Sequence, residues 1–338
     1  MNVWTDIITP AELTGYIRES QAAYEARRGS LAAFLPNRAV SDIVARFVQG
    51  ETGLVPEAQF RAFDAAPELG GRKGRKRVTV DLPALGQNIP VSEYVQLRAR
   101  NASDDEIRNE ILSTADQVVQ AVSDRIERQR GTVLATGKAT IDQDNYVSED
   151  DFGRDPALTL TANTLWTEGT EGRMEQLEAW TDLYESKANA LPGVILASRR
   201  AARLLRAGDD FRVNTIGAQG QPSADMVNAM LGDNEIPPVM VYERKTFSGR
   251  VLPENVVLFL PAPVETNDWQ GTQLGSTVWG RTLTAQEPEF DIVAAEQPGI
   301  VAGVYRHPQP PMTAEVVSDA IGLPVLANAN LSMAVKVF

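Results

Sequence analysis

"NASDDEIRNEILSTADQVVQAVSDRIERQRG", residues 101–131, is the strongest local signal in the chain. Ile107, Ile111, Ala115, Val118, Val122 and Ile126 recur at steps of four and three, so a helix gathers them into one apolar stripe. Ser103 and Glu106 have the spacing of a capping box, and Asp104 and Asp105 fall at the positive end of the helix dipole. Arg125, Arg128 and Arg130 lie near the other end, and Gly131 is placed to close it. The pattern predicts a helix over 104–130, about 40 Å long at 1.5 Å per residue. A helix of that length with one apolar face is a scaffold for other elements.

Upstream, residues 55–100 change character. "AQFRAFDAAPELG" (58–70) and "RVTVDLPALGQNIPVSEYVQLRAR" (77–100) show strand-like alternation, as in Val78 and Val80 against Thr79 and Asp81. They flank "GGRKGRKR" (70–77), the most basic stretch of the chain. The expectation is a long two-stranded excursion with Arg72, Lys73, Arg75, Lys76 and Arg77 at its tip. Before it, Thr9, Pro10 and Gly29 bracket a helix as N-cap, first helical residue and stop. The apolar stretch 30–50, broken at Leu35-Pro36-Asn37, reads as an extended arm rather than a core element.

Downstream, "TVLATGKATIDQDNYVSEDDFGR" (132–154) reads as a hairpin with its turn at residues 142–145. "GVILAS" (193–198) reads as a short buried strand between two helices. "PPVMVYERKTF" (237–247), "ENVVLFLPAP" (254–263) and the region after 290 are strand-rich, and an alternating strand closes the chain at Leu331–Val337. The class is α+β, with neither internal repeats nor low-complexity tails.

Composition narrows function. The 338 residues carry 32 Lys and Arg against 45 Asp and Glu, a net charge of −13, which argues against a general nucleic-acid binder. With no Cys and one His, disulfide frameworks, thiolate zinc sites, Cys nucleophiles and multi-His metal sites are excluded. His307, followed by Pro308, reads as a structural or solvated loop residue. The N-terminal residues have neither the basic start nor the apolar middle of a signal peptide, and the longest apolar run, near 256–264, is far short of a membrane span. Both point to a soluble protein made and used in a cytoplasm.

Chemical motifs fail in turn. "GTVLATGKAT" (131–140) imitates a phosphate loop, but five residues separate its glycines and Ala139 stands where the magnesium-binding hydroxyl belongs. "DQDNYVSEDD" (142–151) has Tyr146 and Val147 where a calcium loop needs Asp or Asn and then Gly. No nucleophile elbow, metalloprotease pair or dinucleotide fingerprint occurs. No catalytic, cofactor-binding or metal site emerges. The basic stretch lacks interleaved aromatics for stacking bases. Its natural counterpart is an acidic patch on the same chain: Asp142, Asp144, Glu149, Asp150, Asp151 and Asp155, against Arg154 alone. Tip and patch would meet between copies.

The order of these segments resembles the major capsid proteins of tailed bacteriophages, in particular the lambda-type capsid protein E family. "FRAFDAAPELGGRKGRKRVTVDLPALGQNIPVSEYVQLR" (60–98) resembles that family's extended loop, and the helix after it the spine helix. "GKATIDQDNYVSEDDFGR" (137–154) resembles its hairpin with a Phe-Gly-Arg end. "LPGVILASRRAARLL" (191–205), "RVLPENVVLFLPAP" (250–263) and "LPVLANANLSMAVKVF" (323–338) resemble its later strands.

The resemblance implies a Hong Kong ninety-seven-type capsid fold. It divides into an N-terminal arm (1–54), an extended β-hairpin loop (55–100), a peripheral domain (101–165 and 311–338) with spine helix 104–130, and an axial domain (166–310). It further implies a structural protein, not an enzyme. Hexamers and pentamers would form an icosahedral shell around double-stranded DNA, without sequence-specific DNA binding and without a membrane. Portal, scaffolding and decoration proteins are the implied partners, the scaffold as a separate chain because little sequence precedes the helix. The implied location is the virion, after assembly in the host bacterial cytoplasm. The rival expectations are a cellular nanocompartment shell of the same fold, a soluble enzyme, and a DNA-binding protein acting through residues 70–77.

Overall fold

The computed structural model describes residues 2–49, 76–91, 104–143, 146–213, 222–265, 272–290, 299–307, 309 and 313–338. In chain order, β1 (Asn2–Val3) leads into α1 (Pro10–Arg28), whose cap Thr9 accepts a hydrogen bond from the Glu12 amide and whose stop is Gly29 at φ 73°. β2 (Asn37–Ala39), β3 (Val44–Gln49), β4 (Lys76–Asp81) and β5 (Ala84–Val91) follow. Next come α2 (Asp104–Thr136) and the hairpin of β6 (Lys138–Gln143) and β7 (Tyr146–Asp151). β8 (Thr159–Thr161), α3 (Arg173–Ala188), β9 (Val194–Ala197), α4 (Arg199–Arg206), α5 (Asp209–Val213) and α6 (Ala224–Asp233) alternate through the middle. The rest is β10 (Val239–Val241), β11 (Lys245–Thr246), β12 (Gly249–Arg250), β13 (Val256–Leu260), β14 (Gly275–Gly280), β15 (Val301–Arg306), β16 (Ala314–Leu326) and β17 (Met333–Lys336).

Two main sheets carry the described chain. The first runs β1-β15-β16-β14-β2, with β5 also paired to β16. Its central strand, β16, buries Ala314, Val316 and Ala320 on the face toward α1 and α2. The α2 stripe packs there: Ile111, Ala115, Val118, Val122 and Ile126 are buried with Leu13 and Ile17 of α1, and Ile107 is half-buried. Each buried Val or Ile of the stripe contributes about 1.5–3 kcal/mol. The second sheet runs β10-β9-β13-β17-β8, with β9 buried along its whole length. α3 covers it through Leu177, Trp180 and Tyr184, and Trp180 meets Phe259 edge-on at 6.3 Å.

Four expectations change. The α2 helix continues to Thr136, six residues past 130. Val133 and Leu134 carry it into the second core, so stopping at 130 would leave both exposed. Gly131 is therefore interior, and the stop is Gly137, at φ 74° with its amide bonded to the Val133 carbonyl at 2.8 Å. The stretch expected as arm puts Leu31, Ala32, Phe34 and Leu35 in the core, because a 3₁₀ turn at Leu31–Ala33 folds them back onto it. The excursion's incoming strand is β3, upstream of residue 55. Val44 pairs with Asp81 and Gln49 with Lys76, so Lys76 and Arg77 lie in a ladder.

Finally, the sheets group the chain differently from the division at 165/166 and 310/311. β14 and β15 pair with β16, beside α2, whereas β17 pairs with β13 and β8. Local strand pattern says where strands are but not which sheet each joins.

Candidate functional site

The two charged hairpins come first. Arg72, Lys73, Arg75 and Asp144 lie outside the described residues, as do 50–75 and 92–103. What the structure describes of the excursion is its base, where Ala45 and Val80 pair and are both buried in the core.

On the β6–β7 hairpin, strand alternation places Glu149 and Asp151 on one face and Asp150 on the other. Lys138 Nζ reaches Glu149 Oε1 at 2.9 Å and Asp151 Oδ2 at 3.2 Å, and these two bonds raise its ammonium pKa. Asp155 accepts from Lys187 Nζ at 2.7 Å and from the Ala157 amide, and both hold its carboxyl below the ordinary range. Burial pushes the Asp150 carboxyl up; Ser148 Oγ at 3.4 Å opposes this and Asp81 adds to it. Three of the six expected acids thus have lysine partners within the chain. Asp142 is exposed, with no ion pair among the described residues.

The helix stop explains the Phe-Gly-Arg end of the hairpin. Phe152 is buried, Gly153 turns at φ 69°, and Arg154 folds back under α2. Its guanidinium donates to the carbonyls of Leu134 (2.6 Å) and Ala135 (3.0 Å) and to Ser332 Oγ (2.8 Å). A cation at a helix C-terminus complements the dipole and satisfies carbonyls that lack helical partners. Burial pulls its pKa down to about 10, so it stays charged at neutral pH.

The most concentrated chemistry lies between the two cores. Glu127 and Arg130, one turn apart on α2, are fully buried. Arg130 donates to Glu127 Oε2 (3.0 Å), Ser30 Oγ (3.0 Å), Asn37 Oδ1 (2.9 Å) and Thr277 Oγ1 (2.8 Å), and lies 3.4 Å from Glu25 Oε1. Glu127 also accepts from the Leu31 amide (2.7 Å), Ser30 Oγ (2.9 Å) and the Tyr242 hydroxyl (2.5 Å). Burial and then the adjacent carboxylate drive the Tyr242 pKa upward. Arg244 bridges Asp124 Oδ1 and the Gly29 carbonyl, both at 3.0 Å, and rests over the Tyr24 ring. Burial opposes its charge, but Glu127 and Asp124 outweigh that and raise its pKa.

This network ties the end of α1, β2, β14 and the 242–244 segment to about two turns of the long helix, Asp124 to Arg130. At its centre Glu127 accepts from four donors, Arg130, Ser30, the Leu31 amide and Tyr242. Among the described residues no three His, Asp or Glu converge on a metal position, and no helix is long and apolar enough to cross a membrane. A signal for it exists in the sequence. Val119, Ser123, Glu127, Arg130 and Leu134 recur at helical steps and are all 0% exposed, a second buried stripe hidden by its polar members.

The chain is similar to known proteins along most of its length. The family model described as phage major capsid protein E matches residues 9–269. A prophage protein of Escherichia coli CFT073, described as its capsid protein, superposes with a TM-score of 0.63 at 15% identity over 98% of this chain and 99% of that one. A phage-related protein of Bordetella bronchiseptica RB50 superposes at 0.58, with 11% identity over 96% and 94%. At such identities these two likenesses concern the fold. No curated protein matches in sequence.

Proposed function

The chain belongs to the phage major capsid protein E family, and from that premise we propose that it assembles as hexamers and pentamers into the icosahedral head of a tailed phage. Its fold is the expected Hong Kong ninety-seven type, and its role is that of a major capsid protein. The family match over residues 9–269 is the observation that carries this reading. The long helix supports it, because a shell subunit needs a stiff member to transmit contacts around symmetry axes.

On this reading the head encloses double-stranded DNA through its interior surface, without reading sequence. Copies of the same chain are the principal partner; portal, scaffolding and decoration proteins complete the set. The protein works in the virion after assembly in the host bacterial cytoplasm. The basic run of the excursion, Arg72, Lys73 and Arg75 followed by Lys76 and Arg77 at the start of β4, contacts a neighbouring subunit. Asp142, exposed and without an ion pair among the described residues, is our candidate to answer it, since Glu149, Asp151 and Asp155 already hold lysines.

Negative-stain microscopy of the expressed chain, alone and with the products of neighbouring genes, tests the assignment. Closed particles or ring-shaped capsomers are expected. Small monodisperse oligomers under every condition would overturn it.

A further inference from the structure

The turn joining β11 to β12 presents Phe247 at 107% exposure. Scattered exposed apolar residues are ordinary on protein surfaces, but three features set this one apart. The first is its position. Thr246 pairs with Gly249, leaving Phe247 and Ser248 as the turn residues, where small polar side chains normally serve. Gly249, at φ 117°, supplies the unusual backbone angle, so nothing in the turn geometry asks for an aromatic ring.

The second is the rigidity of its stem. A hairpin of two-residue strands does not hold itself together; this one is fixed at both feet. Arg244, just before β11, is locked into the buried network on α2. Arg250 bonds Glu243 at 2.7 Å and Glu254 at 3.0 Å. The Val251 amide donates to the Arg244 carbonyl at 3.2 Å, and Val251 packs where Gly131 lets α2 approach. Arg128 of α2 reaches Thr246 Oγ1 at 3.5 Å.

The third is charge. Exposed Lys245 lies on β11 and half-buried Arg128 reaches the same strand at Thr246, while the chain as a whole carries −13 and so offers acidic surface to such a tip. An aromatic side chain on a stiff stem that also carries cations has the chemistry of an interface anchor.

We propose that Phe247 is a self-association anchor that packs against the acidic surface of a second copy of this chain. The proposal rests on the shell reading and names one contact within it. The absence of cysteine gives a clean probe, since Phe247→Cys introduces a unique thiol. Phe247→Ser is expected to keep the circular dichroism and melting temperature of the wild-type subunit. It should raise the concentration needed for particle formation about tenfold or more. In particles co-assembled from Phe247→Cys and excess wild type, the thiol is expected to be protected from maleimide, while in free subunits it reacts readily. Assembly of Phe247→Ser at the wild-type concentration, or equal thiol reactivity in particles and free subunits, overturns the anchor alone. A wild-type chain that forms no particles overturns the shell reading, and the anchor with it.

Discussion

At the residue scale, the decisive side chains are charged ones with nowhere to go. Glu127 faces Arg130 and Arg244 without solvent, so its removal leaves Arg130 with Glu25 at 3.4 Å and Arg244 with Asp124 as their remaining carboxylate partners. Breaking a buried pair by deleting one partner costs about 3–5 kcal/mol. Glu127→Ala should therefore lower the unfolding free energy of the unassembled subunit by about that amount, read from denaturant titrations. Asp150 is the opposite case, a carboxyl whose burial raises its pKa. Its folded form binds a proton more tightly than its unfolded form. The stability it contributes is thus present below the ordinary carboxylate pKa of about 3.9 and is lost as pH rises through the raised value. Asp150→Asn should stabilise the subunit at pH 7 and lose that advantage in acid; an equal effect at both pH values would exclude the linkage.

At the element scale, two helical glycines separate propensity from packing. Gly15 lies within α1, and a Cβ built there meets nothing within 4 Å. Gly15→Ala should gain roughly 0.5–1 kcal/mol from helix propensity alone. Gly131 lies within α2, and its Cβ would stand 2.5 Å from the Val251 carbonyl oxygen. There the same propensity gain, about 1 kcal/mol, meets an overpacking cost of about 1–3 kcal/mol. Gly131→Ala should lower the melting temperature of the subunit while Gly15→Ala raises it. The expected role of Gly131 as a stop fails for this reason: helix stops and close-approach glycines look alike until the opposing backbone is in place.

At the scale of the whole molecule, the base of the excursion is rooted in the core through Ala45, Val80 and Leu82. Charge changes along its basic run should therefore leave the fold intact. Replacing Arg72, Lys73, Arg75, Lys76 and Arg77 together with Glu is expected to impair particle formation and leave the circular dichroism of the subunit unchanged. Normal particles from this variant would remove the basic run from the list of contacts. Individual exposed ion pairs contribute only about 0–1 kcal/mol, so the effect should appear with the cluster and not with any one substitution.

What the sequence by itself determined is local. The α1 boundaries at Thr9 and Gly29 and the stripe from Ile107 to Ile126 follow from capping chemistry and from the 3.6-residue period. The buried strand at Val194–Ala197 follows from a short continuous apolar run between two helices. These rest on neighbours a few residues away. What only the tertiary structure decided is which polar residues are interior, where α2 ends and which sheet each late strand joins. Arg130 is buried because Thr277, 147 residues on, supplies an acceptor, and Glu127 because Tyr242, 115 residues on, supplies a donor. A charge enters a core only when partners satisfy it there, and those partners come from segments that the chain brings together only on folding.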